Sequence, residues 1–199
     1  SRFLSQAGLD NTVEQLRLVS TFNFPEVATL NVPDLVSDPR DSDAHTEEVA
    51  KLLPGLVHED QSALILFTSW RQLNGVIRLL PDSLSQLLLV QGDDAKQVLI
   101  SRHRENVLKG KSSFLVGLAS FAEGLDLPGD LCRHVIIAKI PFAVPDDPID
   151  QTVAEFLESQ GRNPFYEMSL PDAALKLVQA CGRLIRNEHD YGKITLLDS

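Results

Sequence analysis

Five apolar runs of strand length punctuate the chain and barely alternate: ALILF (63–67), QLLLVQ (86–91), SFLVG (113–117), HVIIAKI (134–140) and ITLLD (194–198). Successive side chains of a strand point to opposite faces, so Leu, Ile and Val at consecutive positions put apolar groups on both faces and require both to be buried. A parallel sheet between two helical layers provides that environment, and segments of helical periodicity separate the runs. The expected fold is α/β, an open and mostly parallel sheet with helices on both faces. An earlier run, EVATLNV (26–32), reads as an additional strand.

Between the runs, Ser42 to Val57 reads as a helix entered through Asp43 or Thr46, and Trp70 to Leu80 as a second capped by Thr68 or Ser69. Lys96 to Lys109 and Ile149 to Gln160 follow, the latter stopped by Gly161, and a last helix is expected from Pro171 to about Arg186. Pro141 to Pro148 holds three prolines and two aspartates, which suits an ordered loop leaving the strand before it.

With 199 residues, 43% of them hydrophobic, the chain can bury one sizeable core, and residues 1–199 are read as one domain in which 1–60 form a lead-in segment. A formal charge of −10 opposes broad nucleic-acid affinity, which depends on cations releasing phosphate counterions, so any DNA contact must be local. The acid gathers in Asp34 to Asp60 and at Asp146, Asp147 and Asp150, as a solvated surface does. No apolar run approaches the ~20 residues of a membrane span, and a cytoplasmic location is expected. The two cysteines, Cys132 and Cys181, lack metal-site spacing and the five histidines are scattered, so no metal site is expected in this chain and the cysteines read as packing residues.

Open α/β sheets bind ligands where strand C-terminal ends meet the following loops. The last helical segment, SLPDAALKLVQACGRLIR, is the most informative. At about 100° per residue, Gln179, Arg183 and Arg186 fall within roughly 60° of arc, with Ala174, Val178, Cys181 and Ile185 on the opposite, core-facing side. Gly182 lies beside the polar stripe and leaves room for close approach. An ordinary amphipathic helix with solvated arginines has the same spacing.

The string Q-A-C-G-R-L-I-R, however, has the form Q-x-x-G-R-x-x-R and resembles motif VI of superfamily-two helicases. GLASFAEGLDLPGD (117–130) resembles motif V of the DinG/XPD group of that superfamily, and lies closer to its bacterial DinG/YoaA branch than to XPD. ALILFTSW (63–70) is similar to motif IV, and KIPFAVPDDP (139–148) to the K-x-P-F-x-x-P-x-D-P loop of the same group. SRFLSQAGLDN, at the start, resembles the segment that follows motif III. The four main matches occur in family order.

The resemblance implies the second RecA-like motor domain of an ATP-dependent DNA helicase. It casts Arg186 first and Arg183 second as arginine fingers on the γ-phosphate of ATP, with Gln179 holding the nucleotide or its attacking water. Gly124, Asp126 and Gly182 would adjoin the nucleotide. Thr68 and Ser69, Ser120, and Gln91 and Lys96 of QGDDAKQ (91–97) would meet the backbone of single-stranded DNA, Thr68 and Ser69 at a helix N-terminus that suits anions. Taken alone, the same residues serve as caps, turn glycines or plain surface.

No G-x-x-x-x-G-K-[ST] loop and no D-E-A-H box occurs, so nothing here holds the β-phosphate and Mg²⁺. In the family those parts, and an iron–sulfur cluster with its four cysteines, belong to the first motor domain. The chain is therefore expected to be an excised piece, inactive alone, that binds ATP and Mg²⁺ jointly with that domain and moves 5′ to 3′ on single-stranded DNA, in DNA repair. Replication or repair partners are not legible. A non-catalytic nucleotide- or protein-binding module with the same fold is the alternative; a complete small-molecule enzyme is disfavoured because no G-x-G-x-x-G follows a strand.

Overall fold

The computed structural model describes residues 22–58, 61–142 and 147–198, with a few isolated positions before Phe22. The segment SRFLSQAGLDN, apart from Gly8, and the middle of the Pro141–Pro148 loop lie outside the described residues. Six strands are present among them: β1 (Ala28–Asn31), β2 (Ser62–Phe67), β3 (Leu88–Val90), β4 (Ser113–Leu118), β5 (His134–Ile137) and β6 (Gly192–Leu196). They pair in parallel throughout, in the order β1-β6-β5-β2-β4-β3.

The consecutive apolar residues divide between two cores, as period-2 geometry demands. Ile65 and Phe67 of β2, Phe114 and Val116 of β4 and Ile136 of β5 face helices α2 (Ser42–Val57) and α3 (Trp70–Leu79), meeting Val49, Leu53, Leu73 and Val76. Leu64, Leu66, Leu115, Val135 and Ile137 face the other way, onto Leu99 and Val107 of α5 (Lys96–Leu108) and Ala180 at the end of α7 (Leu170–Cys181). Each such Leu or Ile contributes roughly 1.5–3 kcal/mol on full burial. The lead-in is part of this fold: α2 covers one core, and β1, preceded by the short α1 (Phe24–Val27), forms the edge beyond β6.

Several boundaries differ from expectation. EVATLNV keeps only four strand residues, because Pro25 starts a helical turn before them. QLLLVQ shortens to Leu88–Val90 behind a turn of helix, α4 (Asp82–Ser85), that seats Leu84 in the first core. The cap of α2 is Asp41, which accepts from the Asp43 and Ala44 amides, whereas Asp43 pairs with Arg71 and Thr46 donates to the Ser42 carbonyl. For α3 the cap is Ser69, accepting from Gln72 N. The helix expected to end at Gly161, α6 (Pro148–Ser159), is capped by Asp147.

The largest correction concerns the last helix. A π-helical turn, Phe165–Ser169, leads into α7, which ends at Cys181 rather than near Arg186. Arg183 N and Leu184 N reach back three residues, to the Ala180 and Cys181 carbonyls, and so tighten the chain out of α-geometry. The buried face also differs: Ala173, Ala180 and Leu184 are buried, while Ala174 is exposed and Val178 is 67% exposed. Cys181 is half-buried and Ile185 is buried, so part of the expected apolar side holds.

Candidate functional site

β2 lies between β4 and β5, and the chain, after running out to the edge at β3 and back to β4, crosses β2 to place β5. The connections leaving the adjacent strands β2, toward β3, and β5, toward β6, therefore run in opposite directions, and the crevice at their C-terminal ends is the switch point at which open α/β sheets bind ligands. A cavity of ≈ 250 Å³ opens there. Thr68 enters it from β2, Ser120 and Glu123 from the turn after β4, Phe142 from beyond β5, and Lys176, Gln179 and Arg183 from α7 and its end. Thr68, Ser120, Gln179 and Arg183, assigned from separate strings, thus share one cavity. Lys176 was not foreseen; its spacing from Gln179 and Arg183, three and seven positions, is the available signal.

Arg183 and Arg186 converge on one backbone oxygen. Arg183 Nη1 donates to the Leu125 carbonyl at 2.9 Å and Arg186 Nη2 donates to the same atom at 2.5 Å. Leu125 is buried between Gly124 and Asp126, so the two strings meet at this oxygen. Among the described residues neither arginine forms an ion pair with a carboxylate, and Arg183 Nε is buried with no hydrogen-bond partner. Burial first, and the adjacent Arg186 charge second, push the Arg183 pKa below the usual arginine value, with Glu123 and Asp126 pulling the other way. Two like charges held together beside an unused donor form a site suited to a polyanion.

Gly124 has φ +69°, the left-handed region that favours glycine, and an added Cβ there would meet open space. The turn needs a glycine for its backbone, and the surface beside it is clear. Asp126 is exposed and near enough to Arg183 to act on its charge. Gly182 follows α7 in right-handed conformation, exposed, next to Arg183.

Of the residues expected on DNA, Thr68 is exposed and its hydroxyl has no partner among the described residues. Ser69 Oγ accepts from Gln72 N and keeps its own O–H to donate. Ser120 is exposed in the 3₁₀ turn Ala119–Ala122. Gln91 and Lys96 are engaged within the chain. Gln91 Oε1 accepts from Leu118 N at 2.8 Å, leaving its amide donors; Lys96 Nζ donates to the Glu123 carbonyl and sits 5.3 Å from the Phe121 ring centroid. Gly117 explains the Gln91 contact, since a Cβ there would come within 2.8 Å of Gln91 Oε1 and 2.7 Å of Phe121.

Asp190 is a second residue that motif reasoning missed. It is buried, and its carboxylate accepts from the amides of Gly129, Arg186 and Asn187. Cys132 lies close by, its thiol pushed up to about 12 by burial and then by Asp190, which makes it a packing group and no nucleophile. Among the described residues no cluster of His, Cys, Asp and Glu is arranged to hold a metal ion, and no helix is long and apolar enough to cross a membrane.

Residues 55–199 match the family model of the helicase C-terminal domain. The chain is 43% identical over 186 residues, 92% of its length, to the ATP-dependent DNA helicase DinG of Photobacterium profundum. It is 37% identical over 204 residues, 100% of its length, to the ATP-dependent DNA helicase DinG of Escherichia coli (strain K12). It spans 27% and 28% of those two relatives. Among solved structures, an XPD helicase has the same fold, with a TM-score of 0.66 at 19% identity over 86% of this chain and 31% of that one. Strand order, motif strings and family match agree: the chain belongs to the helicase C-terminal domain family and is a domain of the DinG type.

Proposed function

We propose that this chain is the second motor domain of an ATP-dependent DNA helicase, supplying arginine fingers and single-stranded DNA contacts for 5′ to 3′ unwinding in DNA repair. The observation that carries the reading is the convergence of Arg183 and Arg186 on the Leu125 carbonyl. A carbonyl oxygen offers partial negative charge to two full positive ones, so the pair retains unused N–H donors for phosphoryl oxygens. ATP, held with Mg²⁺ by the first motor domain of the same polypeptide, supplies the phosphoanhydride bond whose hydrolysis drives the cycle.

In this reading Arg186 and Arg183 neutralise charge on the γ-phosphoryl oxygens, and Gln179, exposed on the same rim, orients the nucleotide or the attacking water. Asp126 tempers the arginine pair, and Gly124 and Gly182 present a surface without side chains to the nucleotide. Thr68, Ser69 and Ser120 offer hydroxyls to phosphates of the DNA backbone, joined by the amide of Gln91, with Lys96 supplying longer-range charge. Lys176 adds a cation to the cavity that Thr68 and Ser120 line. With two cysteines, one of them fully enclosed, this chain does not supply the four thiolates of an iron–sulfur cluster, and any cluster the parent carries would sit in the first motor domain.

Arg186→Ala in the full-length parent tests the reading. Single-stranded-DNA-stimulated ATP hydrolysis is expected to fall ~10³-fold while DNA affinity, titrated directly, is kept. Unchanged hydrolysis would remove the arginine-finger role and leave a non-catalytic binding module.

A further inference from the structure

We propose that Asp190 is the positioning residue of the arginine pair: its carboxylate clamps the turn that carries Arg186 to the loop that carries Leu125. The inference rests on the arginine-finger reading above and assigns its geometry to a residue outside the Q-x-x-G-R-x-x-R string. Asp190 is 1% exposed. Oδ1 accepts from Gly129 N at 2.9 Å, and Oδ2 accepts from Arg186 N at 2.7 Å and from Asn187 N at 2.9 Å. One carboxylate therefore spans two segments that are 61 residues apart in sequence. The Arg186 side chain spans the same two segments through the Leu125 carbonyl. Backbone and side chain of Arg186 are each tied to the Gly124–Gly129 loop, by separate bonds, so the guanidinium has little freedom to swing.

The clamp also keeps the chain from resuming α-helix after the tightened turn at Arg183 and Leu184. Arg186 N and Asn187 N are the amides that would reach the Gly182 and Arg183 carbonyls if the helix continued, and Asp190 takes both. Charged acceptors hold N–H groups more strongly than neutral carbonyls do, so the carboxylate wins this competition and the helix does not resume. Continuing helix would carry Arg186 away from Leu125.

The experiment uses the full-length parent and measures kcat and KM for ATP with saturating single-stranded DNA, DNA affinity, and Tm. Asp190→Asn, Asp190→Glu, Arg186→Ala and the Asp190 changes combined with Arg186→Ala form the cycle. Asn keeps the volume but sets an NH₂ against backbone donors; Glu keeps charge and acceptors but moves them by one methylene. Either change is expected to lower kcat ~10²-fold, the scale of a misplacement of about 1 Å, with KM and DNA affinity kept. Neither is expected to lower kcat further, beyond about twofold, once Arg186 is Ala, because a positioning residue acts through the group it positions. Should the Asn variant fail to fold, the Glu variant decides by the same criteria. Wild-type kcat in a folded Asp190 variant, or an undiminished ~10²-fold loss on top of Arg186→Ala, overturns the proposal. If Arg186→Ala alone has no effect, the arginine-finger reading fails instead, and the two failures are separate.

Discussion

Arg133 and the Arg183/Arg186 pair lie on the same domain but differ in how their donors are used. Arg133 precedes β5, at the N-terminal end of the sheet. Its Nε and Nη2 both bond Asp130 Oδ1, its Nη1 bonds the Tyr191 carbonyl at 3.0 Å, and its Cζ stacks 3.7 Å from the Tyr191 ring centroid. The pair on the opposite side shares one carbonyl, with an orphaned Nε and no carboxylate partner among the described residues. A guanidinium offers five N–H donors, and a protein that needs one only for structure pairs it as Arg133 is paired. Leaving donors unused beside a like charge costs stability, which supports the anion-binding role proposed for the pair. Buried histidines are paired at both ends of the sheet: His45 bonds the Leu197 carbonyl and Gln72 Nε2. His103, toward the N-terminal end, is satisfied on both nitrogens, by Ser113 Oγ and the Leu131 carbonyl.

This contrast can be broken by exchange of readouts. Arg183→Ala is expected to cost ~10²-fold in DNA-stimulated ATP turnover of the full-length parent, the scale of losing one preorganised donor. Its Tm should stay level or rise, since the change removes a like charge and a buried unpaired Nε. A turnover loss under threefold would place Arg183 with Arg133. Arg133→Ala should do the reverse: chemical denaturation is expected to show about 1–2 kcal/mol lost with the cation–π contact and the Asp130 and Tyr191 bonds, and turnover should hold. A drop in turnover at unchanged stability would reverse the assignment.

The smallest effect is pH-dependent. Burial lowers the His103 pKa below its ordinary value, with the Leu131 bond opposing. The folded state thus prefers neutral His103, so the stability is complete above the unfolded value of about 6.5 and is lost as pH falls from there toward the depressed folded pKa. Tm should drop across that window, and His103→Gln should flatten the slope; an unchanged slope would exclude His103 as its source.

The sheet was legible because two-sided burial is written into consecutive residues: Leu64, Ile65 and Leu66 are apolar in a row, and the structure sends them to two cores. The motif strings were legible because several of them follow the strands that such runs announce. The face of α7 was not, because Ala173, Leu177, Ala180 and Leu184 form one apolar stripe and Ala174, Val178, Cys181 and Ile185 form another, one residue apart. Periodicity alone cannot choose between stripes rotated by about 100°. Packing against the sheet chose the first, while Ile185 stayed buried beyond the helix end.

By itself, then, the sequence determined the α/β class, the five principal strands and the family, since each rests on residues adjacent in the chain. Tertiary structure decided what each polar group touches. Lys96 turns to the Glu123 carbonyl and Gln91 to Leu118 N, each 27 residues away, and Asp190 reaches Gly129 across 61. Hydrogen bonds act over about 3 Å in space and carry no local sequence period. The course of the chain beyond α7 follows from such bonds, because the Arg186 and Asn187 amides are claimed by a carboxylate only the folded chain brings within reach.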